Sequence, residues 1–436
     1  MIGGVQNIAK ITELRQRILF TFAMLAVYRL GVFIVTPGIN VEVIKSFFEQ
    51  MAGTMFGLFS MFSGGALKQL SIFSLGIMPY ISASIILQLL TVVIPHLEAL
   101  KKEGEQGQKK INQYTRYGTI GLSMFQSFLI AMALENGSFG EGAVIHPGWG
   151  FRLMCMVTLT TGTAFIMWLG EQITERGIGN GISMIIFTSI IVAIPSGLGQ
   201  LVQLIRTDQF TLLGTLVLMV FGVGVIAFVV VVERGQRRIP VQHARRVVGK
   251  RVQQGGMSYF PLRVNTAGVI PAIFASSLLM FPLTIGQFTD SPQIQGFIDV
   301  YLNPGSFPYQ VVYIGLIIFF CYFYTAIMID PKDVADNIKK SGAYIPGIRP
   351  GKKTAEHIDR ILTRITLIGA LYMSAVCVLP TLLAVRYGVP FYFGGTALLI
   401  VVGVGLDTIG QIEAHLVSRQ YEGFASGTRT RGRIGR

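Results

Sequence analysis

The sequence predicts an all-α, polytopic membrane protein with ten transmembrane helices, and three observations carry that prediction. Only 13% of the 436 residues are charged, about half the roughly 25% of a soluble domain. Uncharged apolar runs recur along the chain, and Thr211 to Val232 is about the length a helix needs to cross a bilayer. The segments between these runs alternate between rich and poor in Lys and Arg.

The runs place spans near 18–36, 71–94, 114–134, 150–169, 179–200, 210–232, 266–287, 308–329, 364–385 and 393–414. Of the 36 basic residues, 30 fall in segments on one side, from Lys10, Arg15 and Arg17 at the start to Arg429, Arg431, Arg433 and Arg436 at the end. The other side holds Lys45, Lys68, Arg152, Arg206 and Arg386. By the positive-inside rule the basic side and both termini face the cytoplasm. No small-residue cleavage site follows near position 30, so the first span is expected to stay in the mature protein. Five spans precede the loop near 196–209 and five follow. An odd number reverses the entry side, so the halves 1–205 and 206–436 are expected to be inverted.

Gly53 to Leu67 is apolar but too short to cross, and lies outside between the first two spans. Such a stretch is re-entrant or interfacial. Non-helical backbone at membrane depth survives only where protein or a water-filled cavity satisfies it, so the segment points to a cavity open to the outside. On the cytoplasmic side, two loops, 233–265 and 330–363, are long and basic, with Arg237, Arg238, Arg245, Arg246, Lys250, Arg251, Arg349, Lys352 and Lys353 among their cations. A few flanking charges suffice for topology. Loops this long and rich in Arg fit a docking surface for ribosomal RNA or an acidic protein, because Arg grips phosphate and carboxylate with two hydrogen bonds.

Catalytic and metal chemistry find no support. Cys155, Cys321 and Cys377 sit in apolar runs without ligand spacing, and the five histidines are scattered. Gly351 to Thr354 only approaches a phosphate loop: Lys353 follows Lys352, and Pro346 stands where Gly belongs. Gly177, Gly179 and Gly181 flank the entry to a membrane helix rather than a βαβ turn. No cofactor, no metal and no enzyme activity are expected. Intramembrane charges are few, Arg29 and Asp407, with milder polar groups at Ser82, Gln88, Gln126 and Asn265. A path without a charged binding site suits cargo of variable chemistry better than one ion or metabolite.

The stretch FSGGALKQLSIFSLGIMPYISASIILQLLTVVIP (Phe62–Pro95) resembles the plug and second span of the bacterial SecY family. Lys101–Thr119, Met167–Ser183, Val232–Pro240, Ala267–Ser277, Ala335–Arg364 and Val389–Val402 resemble further motifs of that family, over nearly the whole chain. The external loops 135–149 and 286–309 and the C-terminal tail match least.

The resemblance implies a protein-conducting channel, with two five-helix halves around a central pore and a lateral gate open to lipid. It implies two small membrane partners, SecE and SecG, and a driving partner, the ATPase SecA or a translating ribosome. Signal sequences and translocating polypeptides are the implied cargo. It places Ile77, Ile81, Ile182, Ile186, Ile273 and Ile400 in a pore ring. The helical spacing of Ile77 with Ile81 and of Ile182 with Ile186 fits, since residues four apart share a face. The implied plug covers Phe56, Leu58, Phe59, Met61, Phe62, Ser63, Gly64, Gly65 and Leu67. The implied gate lies between spans two and seven, near Ser82, Gln88, Gln126, Asn265 and Phe281, with Pro271 and Pro282 expected to let span seven bend. Two other readings remain: a secondary solute transporter with inverted repeats, and a receptor that docks ribosomes without conducting.

Overall fold

The computed structural model describes residues 11–50, 63–137, 139–140, 142–206, 212–243, 246–248, 251–253, 256–287, 296, 300–301, 306–387 and 394–430. Each of the ten expected spans falls on a helix. The helices are α1 (Thr12–Val32), α2 (Val41–Gln50), α3 (Met78–Val93), α4 (Pro95–Lys102), α5 (Glu105–Glu135), α6 (Trp149–Arg176), α7 (Gly181–Arg206), α8 (Leu212–Arg234), α9 (Ile270–Gln287), α10 (Phe307–Met328), α11 (Pro331–Lys340), α12 (Lys352–Tyr387) and α13 (Gly395–Thr430). Among the described residues six of these are long and apolar enough to cross a membrane, seven if the bent pair α3–α4 counts as one span. The remaining three expected spans are α1, which carries Arg15, Arg17 and Arg29, and α7 and α9, whose apolar helices Gly181–Pro195 and Ile270–Leu279 are shorter.

Contacts group the chain into two compact units, Met1–Arg206 with Ile400–Arg436, and Thr207–Leu399. In the first unit, α5 presents one buried stripe of mostly small residues four apart, Thr115, Thr119, Ser123, Ser127 and Ala131. Hydroxyls of Thr115 and Thr119 donate back to the carbonyls of Ile111 and Thr115 at 3.0 and 2.7 Å. They therefore cost no unpaired polar group, and small side chains let helices approach closely. Ion pairs fasten both ends of the α5–α6 hairpin. At one end Arg116 Nε donates to Glu171 at 2.7 Å. At the other, Glu135 accepts from Arg152 Nε at 2.5 Å and from the Gly148 amide at 2.7 Å. The α6–α7 turn is stapled by α13, where Gln411 accepts from the Gly179 amide at 2.9 Å.

Two departures from the expected span boundaries bear on the site. The second span, placed at 71–94, begins as a helix only at Met78; residues 71–77 are turns. It ends at Ile94, where Pro95 starts α4 at 97° to it. Proline fits a first helical turn but cannot continue a helix, so it starts a new one. The first span, placed at 18–36, is a helix over Thr12–Val32, and 33–40 is irregular, with isolated bridges at Val35 and Ile39.

In the second unit the 233–265 loop, read only as basic, contains strands: β1 (Gln236–His243), β2 (Arg246–Val248), β3 (Arg251–Gln253) and β4 (Met257–Arg263), with β5 (Ala343–Tyr344) further on. One antiparallel sheet has the order β4-β1-β5, and β2–β3 form a hairpin. Alternation buries Ile239 on β1 and Leu262 on β4 with Ile345, Ile358, Leu362 and Ile365, so the sheet packs on the start of α12. Pro271 stands in the first turn of α9, where no intrahelical acceptor awaits its missing amide. Only Pro282 is interior.

Candidate functional site

The first unit seats a stretch of turn backbone, residues 63–77, among helices. Two glycines make the seat. A Cβ at Gly31 of α1 would overlap the Phe73 ring, and one at Gly162 of α6 would overlap the carbonyl of Ile72. Phe73 thus lies between Tyr28 and Phe165, with ring centroids 5.8 and 6.0 Å away. Ser63, Ala66, Leu67, Leu70, Ser71, Phe73, Ser74, Leu75 and Ile77 are all buried.

Such backbone must be satisfied where water is absent, and it is. The Thr36 amide donates to Leu70 O at 3.0 Å and the Ile72 amide to Ile34 O at 2.9 Å, forming a short bridge between Val35 and Ser71. Ser74 Oγ donates to Ser71 O at 2.5 Å, and the Ser71 amide to Ala66 O at 3.0 Å. Leu70 takes a left-handed conformation, φ 43°, to close this turn. Polar groups of α1 and α7 hold the end at Ser63 and Gly64. Arg29 Nη1 donates to Gly64 O at 2.9 Å, and Arg29 Cζ lies 5.5 Å from the centre of the Phe33 ring. The Tyr28 hydroxyl is 3.3 Å from Ser63 O and 2.8 Å from Ser189 Oγ. Gly64 and Gly65 both have positive φ, 64° and 85°. Of the plug residues named above, Ser63, Gly64, Gly65 and Leu67 are in this seat, while Phe56, Leu58, Phe59, Met61 and Phe62 lie outside the described residues.

Ile77 caps the start of α3 and accepts from the Ile81 amide at 3.1 Å, so the two stack one turn apart. Both are buried, as are Ile186 and Ile400. Ile182 is half-buried and lies against Gly170 of α6, where a Cβ would stand 3.1 Å from its Cγ1. These five belong to the first unit; Ile273, half-buried on α9, belongs to the second.

Of the gate residues, Ser82, Gln88 and Gln126 are half-buried on α3 and α5, and Gln88 Nε2 donates to Ser84 Oγ at 3.4 Å. Asn265 is buried, but between β4 and α9 rather than in a span. Its Nδ2 donates to Glu233 at 2.7 Å and to Gly268 O at 3.0 Å. Phe281 lies on α9, with its side chain outside the described ones.

Arg237 and Arg238 are exposed on β1, and Arg349, Lys352 and Lys353 at the turn into α12, where Thr354 Oγ1 donates to Arg349 O at 2.9 Å. Among the described residues no carboxylate pairs with these five, so their charge is available to an anionic partner. Arg246 and Arg251 sit on the β2–β3 hairpin, while Arg245 and Lys250 are outside the described residues. No cluster of three or more His, Cys, Asp or Glu placed to hold a metal occurs among the described residues.

Sequence reasoning missed Tyr28, Gly31, Gly162 and Ser189, which build the seat. The available signal was small and polar residues inside otherwise apolar helices.

Comparison with known proteins places this geometry. The SecY family model matches residues 71–409. The chain is 52% identical to the protein translocase subunit SecY of Escherichia coli (strain K12) over 413 residues, covering 94% of this chain and 93% of that one. It superposes on a solved protein conducting channel with TM-score 0.67 at 17% identity, covering 93% of both chains. A structure of SecY whose plug domain is described as stabilising the closed state gives 0.62 at 18%, again over 93% of both. Sec61 from a canine ribosome-channel complex gives 0.64 at 17%, with the same coverage. With half its residues identical over nearly its whole length, and with the same fold, this chain belongs to the SecY family.

Proposed function

We infer that this chain is the channel subunit of a protein translocase. It passes unfolded secretory polypeptides across the membrane and releases apolar segments sideways into lipid. Family membership over nearly the whole chain carries the reading, and the secondary solute transporter is not favoured. The two halves, 1–205 and 206–436, are read as closing around a central pore. Ile77, Ile81, Ile182, Ile186, Ile273 and Ile400 are its ring, and the segment 56–68 is the plug that covers it from outside. A narrow ring of branched aliphatic side chains seals because water inside it loses hydrogen bonds it cannot replace. The burial of Ile77, Ile81, Ile186 and Ile400 supports this reading. The gate is read along Ser82, Gln88, Gln126, Asn265 and Phe281.

On the cytoplasmic side the free cations Arg237, Arg238 and Arg349 support docking of SecA or of ribosomal RNA. SecE and SecG are the expected small subunits. The protein is read as residing in the cell inner membrane with both termini in the cytoplasm.

Replacing both Ile81 and Ile186 by Asn gives water its partners back. The purified double variant is expected to leak small ions in planar bilayers at rest while still exporting protein. A silent bilayer containing folded protein would rule out this ring.

A further inference from the structure

We propose that Tyr28, Arg29 and Ser189 form a switching latch that sets how readily the plug leaves its seat. The proposal rests on the reading of 56–68 as the plug. Tyr28, Ser63 and Ser189 are buried, at 1%, 2% and 0% exposure. The Tyr28 hydroxyl has one proton and two acceptors in reach, Ser63 O at 3.3 Å and Ser189 Oγ at 2.8 Å. Ser189 faces the same choice, since its Oγ is also 3.0 Å from Ile185 O of its own helix. Two arrangements satisfy every hydroxyl. In the first, Tyr28 donates to Ser63 O and Ser189 donates to Tyr28. In the second, Tyr28 donates to Ser189, and Ser189 donates to Ile185 O.

The first arrangement grips the plug, and the second lets it go. Leaving a buried hydroxyl unsatisfied costs about 1–3 kcal/mol. The second arrangement removes that cost when Ser63 moves away, because the proton turns to Ser189 instead. Arg29 supplies the charged half of the latch. A cation within a membrane helix is costly and commonly marks function. Here it donates to Gly64 O at 2.9 Å, and no carboxylate among the described residues pairs with it. Gly64 fits closely beneath it: a Cβ there would stand 3.2 Å from Arg29 Nη1 and 3.2 Å from Ser189 Oγ.

Four substitutions at three positions test the latch in the full channel assembly, read as resting ion conductance in planar bilayers. Tyr28→Phe keeps the stack on Phe73 but loses the proton; Arg29→Gln loses the charge. Each is expected to raise the resting open fraction several-fold, and Arg29→Lys to bring it back towards the original value. Ser189→Ala is expected to act in the opposite direction. It removes the alternative acceptor and commits Tyr28 to Ser63, so it should lower the leak of Arg29→Gln. A packing role alone predicts no such reversal of sign. If Tyr28→Phe and Arg29→Gln are silent while the Ile81→Asn, Ile186→Asn channel leaks, the latch is wrong and the seal stands. Silence in all three overturns both. A further rise on adding Ser189→Ala to Arg29→Gln overturns the switch.

Discussion

Gly31 and Gly162 decide where the 63–77 segment can lie, because each admits an atom that a methyl group would exclude. Gly162→Ala sets a Cβ against the Ile72 carbonyl, which is backbone and cannot rotate away. Overpacking of this kind costs about 1–3 kcal/mol, so the thermal midpoint of the purified protein should fall by several degrees. Gly121→Ala on α5 is the control, since nothing lies within 4 Å of its new Cβ. Alanine favours a helix over glycine by about 1 kcal/mol, so the midpoint there should hold or rise. None of this was legible in the sequence. Gly162 and Ile72 stand far apart in the chain, and a glycine in an apolar run reads the same whether it faces lipid or a backbone carbonyl. Tyr28 and Ser189, 161 positions apart, were hidden for the same reason.

At the level of elements, helices were legible and junctions were not. Charge depletion summed over a long window marks a span firmly, so all ten expected spans fall on helices. The turn backbone of 71–77 was taken for helix because its residues are as apolar as those of α3. The strands of 233–265 went unread because they are short and their alternation is broken by Arg and Pro. The join between β4 and α9 carries its own expectation. Asn265 ties Glu233 to the start of α9 through Gly268 O. Asn265→Ala removes both bonds, so the first turn of α9 should exchange its amide hydrogens faster while the rest of the helix keeps its protection. Unchanged exchange there would mean that packing alone fixes the start of α9.

On the scale of the whole molecule, the basic surface is where sequence and structure meet most simply. Exposed, unpaired cations were readable as charge in long loops, and the structure puts Arg237 and Arg238 on a sheet braced by α12, and Arg349 at the turn into α12. Arg349→Glu should slow ATPase-driven export in reconstituted vesicles while leaving the amount of inserted protein unchanged. Raising the salt should weaken partner binding to the original protein more than to the variant, because the removed contact is electrostatic. Normal export by Arg349→Glu would move the docking site elsewhere. The left-handed turn at Leu70 bears on the whole working cycle. That conformation costs a non-glycine residue about 1–2 kcal/mol, and it persists only while its surroundings impose it. If withdrawal of the plug read at 56–68 carries Leu70 with it, Leu70 relaxes, and the turn then behaves as a compressed spring. At about 1 kcal/mol it makes the seated state roughly fivefold less populated than its contacts alone would. On that reading each return to rest winds the spring again, which keeps the closed channel responsive instead of permanently shut.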